Sequence, residues 1–350
     1  EDLPAVVTLA DARAAGAVIE PAQTMRLGDA DAAIAAAPHQ LEGRLAIGGQ
    51  DHFYLEGQIA LATPREDGDV HVWSSTQHPT EIQHNVAKVL GLRGHAVTVE
   101  VRRMGGGFGG KESQPALFAA AAALIAVRTG RPAKLRLDRD DDMVMTGKRH
   151  DFETAWSVGF DDAGKLTGAA FDLASRCGYS ADLSMAINDR AMFHSDNAYA
   201  LPTARIVSHR FRTHTVSNTA FRGFGGPQGM LGIERALDAV ALDLGLDPLD
   251  VRKANLYGLA GDLTPYGQRV EASPALALIE QLEASSDYRA RRAAIAAWNA
   301  KNRWLKRGIA LTPVKFGISF TATHLNQAAA LIHVYTDGSI LLNHGGTEMG

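Results

Sequence analysis

The chain has 350 residues, 46% hydrophobic and 21% charged, and 35 Lys/Arg against 39 Asp/Glu leave a net charge of −4. That balance excludes a disordered chain, and a mildly acidic chain has no electrostatic attraction for nucleic acid or an anionic membrane. A single cysteine, Cys177, excludes an internal disulfide, a Cys-rich zinc site and a four-thiolate iron–sulfur cluster within these residues.

Residues 1–45 read as Ala-rich helical patches and loops. Strands follow at 55–62 and 70–74, split by the turn at 65–69. Pro79 to Leu90 keeps helical spacing through Ile82, Val86, Val89 and Leu90. The β-branched run 96–101 predicts a strand. A glycine loop comes next, then an Ala-rich helix from 114 to 128 closed by Gly130 and Pro132. A strand is expected at 134–137, a hairpin over 150–175 around Asp161-Asp162-Ala163-Gly164, and a strand at 204–212. A second glycine loop at 223–226 opens a helix over 229–244, with Ile233, Leu237, Val240, Ala241 and Leu244 on one face. Helices are expected at 248–257 and 274–300, and strands at 308–318, 330–335 and 340–343, before a third glycine loop. There is no fixed-period repeat and no βαβαβ alternation, so the fold class is α+β with mixed strands and helices. The longest apolar run, 116–127, is too short to cross a bilayer. No signal-type segment opens the chain, and its ends read as those of a piece of a longer polypeptide.

The 35 glycines make up about 10%, against a usual ~7%, and three clusters carry part of the excess. The first, Met104 to Glu112, satisfies both G-x-G-x-x-G and G-x-x-x-x-G-K, with Asp138 ending the next strand. Both patterns set backbone N–H groups around an anion. Yet Glu112 stands where a phosphate loop needs Ser or Thr. The second, Ser217 to Gln228, has the same build of strand, glycines flanking a phenylalanine, then helix, and adds Arg222. Two such loops suggest two walls of one pocket, with backbone brought close to a ligand. The third is His344 to Gly350. Asp138, Asp140, Asp141 and Asp142 read as a capped helix start rather than a cation site. The histidines lack metal-ligand spacing, and Cys177 reads as a small buried residue.

Together these segments resemble the molybdenum-binding subunit of the xanthine oxidase family of molybdenum hydroxylases, most nearly its xanthine dehydrogenases. The motifs are Ala46 to Tyr54, Ser75-Thr76-Gln77, Arg103 to Glu112, Asp189 to His194, Asn218 to Gln228 and Lys315 to Thr321. The resemblance implies a xanthine-oxidase-type molybdopterin-binding fold and a molybdopterin cofactor whose molybdenum carries oxo and sulfido ligands. It places Gln77, Phe108, Gly109 and Arg222 at the cofactor, with the Mo contacts of Gln77, Phe108 and Arg222 made without a direct side-chain ligand. It places Glu112, Arg190, Phe224, Phe320 and Thr321 at the substrate. Glu112 and Arg190 are then the polar pair that stabilises charge developing on a purine, where aldehyde-oxidising relatives carry apolar residues. Aromatic rings at 224 and 320 suit a planar ring.

The implied reaction oxidises xanthine or hypoxanthine to urate with water-derived oxygen. Electrons would pass to 2Fe–2S and FAD centres on a partner subunit or missing region and on to NAD. The implied setting is cytoplasmic, as a dimer of catalytic units. The family's general-base glutamate falls beyond Gly350, and Glu348 does not match it. The implied domains are 1–45 (end of a preceding domain plus linker), 46–300 (first molybdopterin-binding domain) and 301–350 (start of a second). The alternatives are an aldehyde oxidase-type hydroxylase and, in another class, a nucleotide-binding module using the 105–111 loop.

Overall fold

A computed structural model describes residues 4–320 and 323–350. In chain order the elements are α1 (Leu9–Ala15), β1 (Val18–Leu27), α2 (Ala30–Ala35), β2 (His39–Ile47), β3 (Ile59–Pro64), β4 (Val70–Ser74) and α3 (Pro79–Leu90). Then come β5 (Val97–Glu100), α4 (Pro115–Thr129), β6 (Ala133–Arg136), α5 (Arg139–Met145), β7 (Phe152–Phe160), β8 (Leu166–Gly178), α6 (Ser184–Phe193) and β9 (Ala204–Arg212). The rest are α7 (Gly226–Leu244), α8 (Pro248–Ala254), α9 (Ala275–Ser285), α10 (Tyr288–Lys301), β10 (Ala330–Val334) and β11 (Ile340–His344). The α+β class holds.

Strand β10 pairs antiparallel with β11 in a separate two-stranded sheet, and two larger sheets organise the described residues through β9. The larger has the order β1-β9-β8-β7-β2, with only β8 and β9 parallel. Strand β7 alternates as a half-buried strand should, with Phe152, Thr154, Trp156 and Val158 inward. Helix α7 lays Ile233, Ala236, Leu237, Val240 and Ala241 into the same core, beside Phe171 and Leu173 of β8. Full burial of each large aliphatic contributes roughly 1.5–3 kcal/mol. The smaller sheet, β5-β4-β3-β6, is covered by α3 and α4, whose Ile82, Val86, Ala119, Ala122, Ala123 and Ala126 form a second core. The alanines let α4 approach the sheet closely, and Gly130 ends the helix in the left-handed region at φ 62°.

Several sequence expectations shift. Residues 18–27 and 39–47 are strands, the two edges of the larger sheet, where helical patches and loops were expected. Their apolar residues are spaced among charges because each strand is only half buried. Helix α6 was not foreseen. The expected 274–300 helix breaks into α9 and α10 at Asp287, which sits at φ 51°. Residues 308–318 form no strand; side chains of the 190–197 turn hold this strap instead, as described below. Asp138 caps α5, accepting the Asp141 N–H at 2.9 Å, as the helix-start reading expects. Cys177 is fully buried.

Candidate functional site: three glycine loops and an aromatic slot

The first glycine loop leaves β5 and is pinned from beneath by an ion pair. Lys111 is fully buried, with Nζ 2.6 Å from the Glu56 carbonyl, 3.1 Å from the Glu56 carboxylate and 2.7 Å from Ser75 Oγ. The Glu56 carboxylate also accepts the Gly105 N–H at 2.8 Å. Burial alone would raise the Glu56 carboxyl; the donors Ser75, Gly105 and Lys111 outweigh it and hold it below the usual range. At the loop's apex, Gln77 Oε1 accepts the N–H of Gly109 at 2.8 Å and of Lys111 at 3.3 Å.

The second loop lies directly on the first. Arg222 N–H donates to the Phe108 carbonyl at 2.8 Å. A Cβ on Gly109, itself at φ 100°, would lie 2.8 Å from the Ala220 carbonyl, so the two backbones touch where no side chain fits. Phe108 also takes a positive φ, 54°. The second loop is braced by residues of the 46–54 and 149–150 segments. His52 Nε2 donates to the Ala220 carbonyl at 2.6 Å, and its ring lies 4.6 Å from that of Phe221. Burial pushes the His52 pKa down to about 4, so the ring is neutral. Arg149 stacks on Phe221 at 4.1 Å and donates to the Arg222 carbonyl at 2.7 Å. The third loop closes on both: Gly107 and Phe108 donate their N–H groups to the Met349 carbonyl at 3.0 and 3.2 Å, and Gln77 Nε2 reaches Met349 Sδ at 2.7 Å. Gln77, Phe108, Gly109 and Arg222 therefore come together at one junction.

In this geometry the first loop is not an open phosphate cradle. The N–H groups of Gly105, Gly107, Phe108, Gly109, Gly110 and Lys111 are all bonded within the protein, and the Lys111 ammonium is enclosed. Helix α4 starts only at Pro115, beyond the loop.

A few residues further on, the second loop joins a separate cluster. Phe224 sits at φ 50°, and Gly225 at φ 92°. A Cβ on Gly225 would be 2.0 Å from the Ile187 carbonyl oxygen, and one on Gly229 2.1 Å from that of Ala191, so the start of α7 lies hard against α6. That brings Arg190 of α6 to the Phe224 ring (5.5 Å) and the Phe316 ring (5.4 Å), and Phe224 to Phe320 (5.6 Å, 53° between planes). Arg190 Nη1 and Nη2 donate to the carbonyls of Gly317 and Ser319 at 2.9 and 2.5 Å. Arg190, Phe193, Tyr266, Phe316 and Phe320 help line a cavity of about 880 Å³.

Glu112 follows the buried Lys111 and makes no ion pair with Arg190 among the described residues. Burial, with Glu81 and Asp182 nearby and only partly offset by His78, pushes its pKa up to about 7. Thr321 lies outside the described residues. Sequence reasoning passed over Lys111 as an internal cation, and over Glu56, Arg149 and Met349. His52 was inside a quoted motif, but nothing in the sequence told which backbone it would hold.

The site's donors suit a group that brings its own metal ligands. Among the described residues no cluster of three His, Cys, Asp or Glu could hold a metal ion. What the loops offer is close-set backbone and the exposed Arg222, with the Gln77 amide set between the first and third loops. Molybdopterin cofactor-binding domain families match residues 12–256 and 281–350. A xanthine dehydrogenase/oxidase of Felis catus is 46% identical over 351 residues, covering 100% of this chain and 26% of its own length. A nicotinate hydroxylase of Emericella nidulans is 44% identical, again over 100% of this chain and 26% of its own. Among solved structures, an aldehyde oxidoreductase from Desulfovibrio gigas superimposes with a TM-score of 0.80 at 26% identity, over 98% of this chain and 38% of its own. The chain thus spans about a quarter of the length of the curated relatives it matches.

Proposed function

The chain belongs to the molybdopterin cofactor-binding family, within the xanthine oxidase group, and from that premise we propose that it holds the cofactor and substrate of a molybdenum hydroxylase acting on purines. The observation that carries the substrate reading is the slot: Arg190 between Phe224 and Phe316, with Phe320 beside them, where Arg190, Phe316 and Phe320 line the cavity. Aromatic faces select a planar ring through offset and edge contacts. Gln77, Arg222 and the backbone at Phe108 and Gly109 would hold the cofactor. When bound, that group supplies the transferred oxygen and takes up the substrate's electron pair.

The protein residues do the rest. Arg190 orients the ring and stabilises negative charge that spreads over it, an interaction that accelerates reaction only to the extent that it strengthens in the transition state. Glu112, poised near neutrality, can donate or accept a hydrogen bond at a ring nitrogen. A single cysteine cannot ligate an iron–sulfur relay, so 2Fe–2S and FAD centres lie outside these residues in our reading, with NAD as final acceptor. We place the enzyme in the cytoplasm as a dimer of catalytic units. No helix among the described residues is long and apolar enough to cross a membrane.

The aldehyde reading keeps support from the likeness to the Desulfovibrio gigas enzyme. The two part at Glu112 and Arg190. Glu112→Val with Arg190→Met in the holoenzyme is expected to abolish xanthine turnover and raise turnover of an aromatic aldehyde. Unchanged xanthine kinetics in that variant would refute the purine assignment.

A further inference from the structure

The turn that ends α6 carries a histidine for which the motif reading has no role. His194 is 5% exposed, and both of its ring nitrogens have partners. Nδ1 lies 2.8 Å from the Arg190 carbonyl oxygen, which can only accept, so Nδ1 bears the proton. Nε2 accepts the Gly317 N–H at 2.9 Å. A neutral imidazole has one donor and one acceptor, and both are used. The Arg190 side chain returns to the same place, donating to the Gly317 and Ser319 carbonyls. The hydrogen bonds form a closed ring: Arg190 guanidinium to the 317 carbonyl, 317 amide to His194, His194 to the 190 carbonyl. The imidazole also packs on Phe316, 4.8 Å between ring centres.

We propose that His194 is a positioning residue for the slot: as its Nδ1–H tautomer it accepts the Gly317 amide and thereby sets where Phe316, Phe320 and the Arg190 guanidinium stand around a planar substrate. The substrate half of this inference rests on the purine reading above; the hydrogen-bond ring does not. The strap has further anchors upstream, where Lys315 N–H donates to Asn197 Oδ1 at 3.0 Å and Lys315 Nζ reaches Asp196 Oδ2 at 2.5 Å. Loss of His194 therefore shifts the strap without releasing it. Protonation would set an imidazolium N–H against the Gly317 N–H. Burial opposes that, and so do the two cations facing the ring, Arg190 from its own helix and Lys315 from the strap, the latter countered by Asp196.

The test uses the full-length holoenzyme and three variants. His194→Gln can place its Oε1 acceptor where Nε2 was and keeps the Gly317 bond. His194→Asn keeps only the bond to the Arg190 carbonyl. His194→Phe keeps the packing on Phe316 and neither bond. The KM for xanthine is expected to rise about five- to tenfold in the Asn and Phe variants, as for one lost hydrogen bond, with kcat changed less and the Gln variant close to wild type. Hydrogen exchange of the segment 313–320, without substrate, is expected to quicken in the Asn and Phe variants and not in the Gln variant. Unchanged exchange and KM in His194→Phe overturns the proposal. So does equal impairment of all three, or a fall in kcat that tracks lost molybdenum at constant KM. Wild-type enzyme that fails to oxidise xanthine would overturn the purine reading alone, and the exchange arm would still decide whether the ring exists.

Discussion

Replacing Glu112 by glutamine should make the protein more stable at alkaline pH and less active on purines. The native carboxyl titrates near 7, against 4.5 for an unperturbed glutamate. Burial comes first among the causes, and the carboxylates of Glu81 and Asp182 add repulsion. A native pKa above the unfolded one gives stability that is complete below the unfolded value and is lost as pH rises through the native value. The difference of about 2.5 units corresponds to about 3 kcal/mol at 1.36 kcal/mol per unit. Glutamine has a similar shape and no charge, so it escapes that loss. Urea denaturation at pH 4.5 and 8.5 is the assay. The variant should match wild type at the lower pH and exceed it by about 2–3 kcal/mol at the higher one, while kcat/KM for xanthine falls. An equal effect at both pH values, or a less stable variant at pH 8.5, would refute the reasoning. Gain of stability with loss of activity marks a group retained for chemistry rather than for packing.

Gly229→Ala tests the α6–α7 contact: intrinsic helix propensity favours alanine by about 1 kcal/mol, but its Cβ would lie 2.1 Å from the Ala191 carbonyl oxygen. The net result should be a destabilisation of about 1–3 kcal/mol, read as a lower denaturation midpoint, and a neutral or stabilised variant would contradict the packing. Burial depresses His52 to about 4 and His150 to about 3, so the unfolded chain binds protons first as pH falls. Stability should drop as pH falls from about 6.5 to about 4 for His52, by about 3 kcal/mol, and on to about pH 3 for His150; a His52→Gln, His150→Gln variant should show a flatter acid limb, and an unchanged limb would argue against buried neutral rings.

The legible parts of the chain were those with a strong local period. Strand β7 alternates because one face is core, and α7 shows a clean apolar stripe because its other face meets water. Both glycine loops could be located because glycine clusters mark backbone that must come close to something. Strands β1 and β2 were less legible, since an edge strand half in water interrupts its apolar residues with polar and charged ones. The strap at 308–318 has a strand-like sequence, yet it is held by side chains of α6 and the turn after it. No local period can report a partner more than a hundred residues away.

By itself the sequence determined the α+β class, the positions of the glycine loops, and a set of motifs specific enough to mark the family. Those are properties of local composition and order, written residue by residue. Tertiary structure decided which polar groups are spent and which are free. Lys111, a phosphate-binding candidate by pattern, is enclosed on Glu56 and Ser75, while its neighbour Glu112 is left near neutrality. Arg190 and His194 became one hydrogen-bonded unit only when α6 met the strap. The physical reason is that burial and hydrogen-bond partnership depend on distance in space, and folding sets that distance between segments the chain keeps far apart.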